Sequence, residues 1–237
     1  MDFSAQSGPK WARSAASMVA LLLQLSAGTS ATAQSLLGGG GQQPAMMNRD
    51  QEIALALSAC PQSVAGKAGV YVLESTGYIR VRESSNGFNA IVQHALPQSQ
   101  DPQCIDAVGS RTILPRYLRV AELRAQGKTP EEIRQFVADA YANGVFKPPA
   151  HPGIDYMLSP HNLTRNSRGE IVPFPPHVMI YAPFLTNADI GVGSELGSDG
   201  NPMAPAFVAA EGEPQALIIV PVADRMSKTH VMPSGDQ

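Results

Sequence analysis

The sequence has little of several features that define common protein classes. Only 16% of its 237 residues are charged, 6% are aromatic, and the net charge is −3. The composition excludes a coiled coil, a collagen-like fibre and a chain kept disordered by its charge. A negative net charge also argues against a dedicated nucleic-acid-binding protein, which normally carries a basic excess. We therefore expect no nucleic-acid partner.

Long apolar runs are also lacking. The apolar run at residues 18–25 is far shorter than the roughly 20 residues that a membrane-spanning helix needs. Lys10 and Arg13 precede this run, and Ala31-Thr32-Ala33 follows it with the small residues of a cleavage site. This pattern predicts a signal peptide over residues 1–33. The mature protein is then expected to be soluble, without a stable membrane span, and periplasmic or secreted.

Glycine and proline are abundant by comparison, with 21 and 20 copies, and they predict a fold with many turns. Residues 34–48, which are rich in glycine and glutamine, predict a flexible tether. We expect a single domain over residues 49–225 and a flexible tail over 226–237.

The periodicity of the domain predicts an α+β fold. A capped helix is expected at 49–59, and strands at 70–74, 78–83 and 88–94 predict a β-meander. Residues 97–109 have no regular pattern. Two helices are expected next, and the second has the clearest start, because Thr129, Pro130 and Glu132 form a capping-box sequence. A hairpin of strands 206–210 and 216–220 completes a mostly antiparallel sheet with a two-helix insert.

The chain contains only two cysteines, Cys60 and Cys104. An even count in an exported protein favours a disulfide bond. The alternative is a pair of buried free thiols. A redox-active pair is disfavoured, because the two residues do not have Cys-x-x-Cys spacing.

Five short segments, at residues 53–61, 86–88, 102–106, 156–158 and 176–179, resemble in the same order those of a family of uncharacterised secreted bacterial proteins. They include the motifs Asn-Gly-Phe, Pro-x-Cys-x-Asp and Pro-His-x-Met. The resemblance implies no known activity. In that family a cysteine tends to occupy the position of Ala90, whereas the residue before Pro61 is usually not cysteine. The resemblance therefore implies that Cys60 replaces the missing partner of Cys104.

The strand at residues 177–182 is the best candidate functional surface. Strand alternation places His177, Met179 and Tyr181 on one face. The opposite, aliphatic face is expected to pack on the core, so the first face, together with Tyr156, is the candidate ligand site. Thioethers and imidazoles favour Cu(I), which makes four residues candidate copper ligands: His177, Met179, Met157 and His161. The alternative is structural, with Met179 filling a core gap and His177 making one hydrogen bond.

A hydrolase is the competing function. His177 or His161 could act as a base, with Asp155 or Asp189 orienting it and Ser159 or Ser194 as the nucleophile. The sequence supports none of these choices, because the segment 193–197 lacks the Gly-x-Ser-x-Gly spacing of a nucleophile elbow. We therefore expect a small-ligand-binding, metal-binding or accessory protein more than an enzyme.

Overall fold

The computed structural model describes residues 44–166, 168–192 and 206–222, which form five α-helices and ten β-strands and belong to one compact unit. The helices are α1 (Arg49–Ser58), α2 (Gln62–Ala65), α3 (Ala107–Thr112), α4 (Leu114–Ala125) and α5 (Pro130–Ala142). The strands are β1 (Gly69–Glu74), β2 (Gly77–Arg82), β3 (Asn89–Gln93), β4 (Asp101–Ile105), β5 (Ile154–Met157), β6 (Leu163–Arg165), β7 (Ile171–Pro173), β8 (His177–Tyr181), β9 (Phe207–Ala209) and β10 (Leu217–Pro221). The predicted signal peptide, most of the tether, the tail and Ser194 lie outside the described residues.

Eight of these strands form one mixed sheet in the order β2-β1-β3-β4-β5-β8-β10-β9, and β6 and β7 form a separate hairpin. Every neighbouring pair is antiparallel except β1 and β3. The predicted fold class is therefore confirmed. The expected C-terminal hairpin is present as β9 and β10, and the expected pair of helices is present as α4 and α5.

The third strand joins the sheet differently from the β-meander that the sequence predicted. β1 and β2 form the expected hairpin, but β3 pairs with the other edge of β1 and runs parallel to it. The burial of the strands explains this order. Ala90, Ile91 and Val92 on β3 are fully buried, whereas β2 carries exposed residues and the charged Arg80 and Arg82. The apolar strand therefore takes the interior position and the charged strand takes the edge.

Strand β4 occupies a segment that the sequence predicted to be irregular. It lies between β3 and β5, and all five of its residues are buried. Pro102 is its second residue, opposite Val92. Proline lacks the N–H that a ladder needs and normally indicates an edge strand or a loop, which is why the sequence pattern concealed a central strand.

Helices cover both faces of the sheet. Helix α1 packs on β1, β3 and β4, where its Ala56 joins Val70, Val72, Ala90 and Val92 in one apolar cluster. A disulfide bond between Cys60 and Cys104 joins the chain after α1 to β4. The prediction of this bond is confirmed.

The opposite face carries α3 and α4, whose Ile113, Leu114 and Tyr117 pack on Ile91 and Ile105 of the sheet. Helix α5 follows α4 after a short turn and begins with the predicted capping box, in which Thr129 and Glu132 exchange hydrogen bonds. Among the described residues, no helix is both long and apolar enough to cross a membrane.

Candidate functional site

A cleft of about 810 Å³ lies between the sheet and helices α4 and α5. Side chains from β4, β5, β8 and β10 form its floor, and the turn between β9 and β10 contributes to its lining. Three of the predicted copper ligands, Met157, His177 and Met179, line this cleft. Three residues that the sequence analysis named therefore share this cleft, and their role as ligands stays a prediction.

The strand register places these floor residues in two adjacent rows. Met157 on β5 lies opposite His177 on β8, and the pairing of β4 with β5 brings Gln103 to the same level on the other side of Met157. Asp155 and Met179 are paired in the next row. Because neighbouring strands are about 4.8 Å apart, Gln103 and His177 are separated by roughly 10 Å across the floor.

The ring of His177 has a defined tautomer. Its Nδ1 lies 2.9 Å from the carbonyl oxygen of Pro175. A carbonyl oxygen can only accept a hydrogen bond, so Nδ1 carries the proton and Nε2 keeps a lone pair. Burial lowers the pKa of His177 to about 4, although the bond to Pro175 opposes the shift. The imidazole is therefore neutral at pH 7, and its Nε2 can accept a hydrogen bond or ligate a soft metal.

The two faces of β8 have the opposite roles from those expected. His177, Met179 and Tyr181 are the buried residues, whereas Ile180 is 37% exposed. The prediction that the aliphatic face packs on the core is wrong. The reason is helix placement, because α1 packs on β1, β3 and β4, whereas α3, α4 and α5 provide the cover over the His177 face.

The remaining predicted site residues lie away from the cleft. Tyr181 faces the same side but packs beneath α3, with its hydroxyl close to Gly109. Tyr156 faces the opposite side of the sheet and stacks on Phe88, with ring centroids 6.3 Å apart. His161 lies in a separate surface depression beside Leu55. The structure therefore brings together three of the four predicted metal ligands and leaves out His161.

Asp155 is a completely buried acid in the second row. In the described chain neither of its carboxyl oxygens makes a hydrogen bond of ordinary geometry, although the backbone of Cys104 lies close enough to lower the pKa of the carboxyl group. Burial and the nearby carboxylate of Asp106 outweigh this effect and raise its pKa well above the ordinary value. A raised pKa disfavours the ionised form that an orienting carboxylate needs.

The contacts of the proposed hydrolytic residues give no support to that alternative. In the described part of the chain, the ring of His177 is hydrogen-bonded to a carbonyl and to no serine or carboxylate. The hydroxyl of Ser159 is 2.8 Å from that of Ser58 and accepts from the backbone N–H of His161. Asp189 is engaged with Thr186 in an exposed turn. In the described ranges, no hydrogen bond joins a serine hydroxyl to the ring of His177 or His161, which is the pairing that a serine nucleophile and a histidine base require.

The cleft also contains polar side chains that the sequence did not reveal as site residues. In the described chain, each of them has one buried nitrogen or oxygen without a hydrogen-bond partner; they are Gln103, Arg116, Arg124, Tyr141, Asn162 and Gln215. Three of these residues, Gln103, Asn162 and Gln215, are single amide side chains in strands and loops. Such residues form no periodic pattern in the sequence that would indicate a site. A weak signal existed only on α4, where Arg116 and Arg124 are eight residues apart and so lie on a similar side of the helix.

Arg124 is the most deeply buried of the charged residues lining the cleft, with 8% of its surface exposed. Its guanidinium donates hydrogen bonds to the carbonyl oxygens of His94 and Ala95. None of the ion pairs found among the described residues involves Arg124 or Arg116. Among the described residues, the cleft thus contains the buried Arg124 and the half-buried Arg116 without an ion-paired carboxylate on either.

Metal-binding clusters of the common hard or borderline type are absent from the described ranges. No three His, Cys, Asp or Glu side chains there are grouped as a metal site would require. The described residues thus provide no zinc or calcium site of that kind.

No protein-family model matches this chain, and neither the curated proteins nor the solved structures contain a significant match. The comparisons assign no family. The resemblance to secreted bacterial proteins therefore stays a prediction.

Proposed function

We propose that this protein binds a small, mostly apolar organic molecule in the cleft between the sheet and helices α4 and α5. The volume of about 810 Å³ is within the range of roughly 300–1,000 Å³ that is usual for small-molecule sites. Met157, Phe174, Met179, Phe207 and Ile219 supply apolar surface to the lining. Such a surface suits an aliphatic or aromatic ligand body.

The observation that carries this proposal is the set of unpartnered polar atoms in the lining. A buried polar atom without a partner costs about 1–3 kcal/mol, and native proteins contain few of them. Gln103, Asn162 and Gln215 each have such an oxygen, and all three line the same cleft. A ligand with hydrogen-bond donors would satisfy these oxygens after small side-chain rotations, while its apolar body covers the methionines.

The disulfide bond supports the expected cellular setting. Bonds of this type persist in oxidising compartments and are rare in the cytosol. The Cys60–Cys104 bond is therefore consistent with a location outside the cytoplasm. We propose an exported binding protein, with the signal peptide at residues 1–33 as the export signal.

The fluorescent probe 1-anilinonaphthalene-8-sulfonate tests the proposal, because it combines aromatic rings with an N–H donor and an anionic group. Val137 lines the cleft, whereas Val145 is 70% exposed and lies outside it. We expect the folded wild type and Val145→Trp to bind the probe at one site and with equal affinity. Val137→Trp fills the cleft and should weaken binding at least tenfold.

Two results would contradict the proposal. One is a folded wild type that leaves the fluorescence of the probe unchanged. The other is equal probe affinity in the Val137→Trp and Val145→Trp proteins, because the binding would then lie elsewhere. Circular dichroism of each variant provides the check on folding.

A further inference from the structure

We propose that His177, Met157 and Met179 form a binding site for one Cu(I) ion on the floor of the cleft. The three side chains project from two paired strands toward the same space. Met157 lies directly opposite His177, and Met179 follows His177 by two residues on the same face of the sheet. Directly opposed residues have Cβ atoms about 4.5–5.5 Å apart. Flexible methionine side chains can bring their sulfurs to a common point near the imidazole from these positions.

The hydrogen bond of His177 prepares its ring for a metal. Metal-bound histidines usually donate their second ring nitrogen to a carbonyl or carboxylate, which fixes the tautomer and the orientation of the ring. The carbonyl of Pro175 fills this role for Nδ1 at 2.9 Å. The ring of Phe174 packs edge-on against the imidazole, with centroids 4.8 Å apart. Nε2 is therefore the nitrogen available to a metal, and its direction is constrained by two contacts.

The chemistry of the donors selects Cu(I) over other common ions. Thioether sulfur is a soft ligand that suits Cu(I), whereas Mg²⁺, Ca²⁺ and Mn²⁺ prefer oxygen ligands. Asp155 is the carboxyl group in the adjacent row, and it is fully buried. A monovalent cation on three neutral donors has a smaller desolvation penalty in this apolar setting.

The proposal can be tested on the full chain by competition for Cu(I) with the chromophoric chelator bicinchoninate under anaerobic, reducing conditions. We expect the wild type to withdraw one equivalent of Cu(I) from the chelator complex. The double variant Met157→Leu/Met179→Leu should bind at least tenfold more weakly. Leucine keeps the apolar character and nearly the volume of methionine, so the melting temperature should remain close to that of the wild type.

The sequence supplies a matched control. His230-Val231-Met232 repeats the tripeptide His177-Val178-Met179 outside the described residues. The variant His230→Ala/Met232→Leu removes the same donor types and is expected to withdraw Cu(I) as the wild type does. The proposal is wrong if the cleft variant keeps its affinity, if the tail variant loses it, or if the wild type withdraws no copper.

The copper site does not depend on the proposed binding of an organic molecule, and the two can fail separately. The Val137→Trp variant alters α5 and leaves all three copper donors in place. A wild type that binds copper but not the probe would reject the small-molecule proposal alone, and a wild type that binds the probe but no copper would reject the copper site alone.

Discussion

The buried carboxyl group of Glu52 gives the sharpest stability prediction. Glu52 lies on α1 with 1% of its surface exposed, and its Oε1 accepts a hydrogen bond of 2.8 Å from the backbone N–H of Leu73 on β1. Burial raises the pKa of Glu52 to about 7, the bond to Leu73 opposes this shift, and the charge of Glu74 adds to it. Glu52→Gln keeps the accepting oxygen and removes the ionisation.

The pKa shift determines the size and sign of the effect. The pKa rises from 4.5 to about 7 on folding, and each pKa unit corresponds to about 1.4 kcal/mol, which gives roughly 3 kcal/mol. Between these two pH values the folded protein binds more protons than the unfolded chain. The contribution of Glu52 to the free energy of unfolding therefore falls as the pH rises from 4.5 to 7. We expect Glu52→Gln to be about 3 kcal/mol more stable than the wild type at pH 8, with the difference nearly gone at pH 4.

Urea unfolding of both proteins from pH 4 to pH 8 measures this difference directly. Contributions from the other buried groups, including Asp101, His94 and His177, cancel when the two proteins are compared at the same pH. Glu83 has an exposed side chain, so Glu83→Gln serves as the control and should show no comparable pH-dependent difference. A Glu52→Gln effect of constant size across the pH range would refute the reasoning, and so would a loss of stability at pH 8.

Two further predictions concern the framework of the domain. The disulfide closes a loop with a sequence separation of 44, so Cys60→Ala/Cys104→Ala should lower the free energy of unfolding by about 4 kcal/mol; a loss below 1 kcal/mol in urea unfolding would mean that loop closure contributes little. A Cβ added at Gly109 would collide with the hydroxyl of Tyr181, whereas one at Gly66 meets no atom within 4 Å. Gly109→Ala should therefore destabilise the protein by about 1–3 kcal/mol, and Gly66→Ala should stabilise it by about 0.5 kcal/mol. Thermal melts that place both alanine variants on the same side of the wild type would contradict this contrast.

The sequence predicted the fold well where local signals and tertiary context agree. Helix α5 has a capping box and an apolar stripe, and both are local properties of the chain. Strand β4 shows the opposite case, because the local signal of Pro102 argued against a strand. Burial between two neighbouring strands outweighed that signal. The interior position of β3 beside β1 similarly reflects that β3 is more apolar than β2. A pattern found within one segment does not compare two strands.

The candidate site was predictable only in part for a related reason. Strand alternation correctly grouped His177 with Met179, since their relation depends on the strand alone. Which face is covered depends on where α4 and α5 pack, and this is a long-range property. Gln103 became a floor residue only through the unexpected strand β4. The distance of His161 from the cleft depends on the course of the chain after β5, which no short motif encodes.

The position of the disulfide within the chain has a consequence for the order in which the molecule is completed. Cys60 and Cys104 enclose β1, β2, β3 and most of β4, so the bond closes a covalent ring around the first half of the sheet. Because synthesis begins at the amino terminus, both cysteines are present in the nascent chain before α4, α5, β5 and β8 have been synthesised. The bond can therefore form once the first half of the sheet has been synthesised. The cleft can form only later, after β8, the strand that carries His177, has been synthesised. Formation of the disulfide bond and binding of a ligand would therefore belong to two different stages in the folding of a newly synthesised chain.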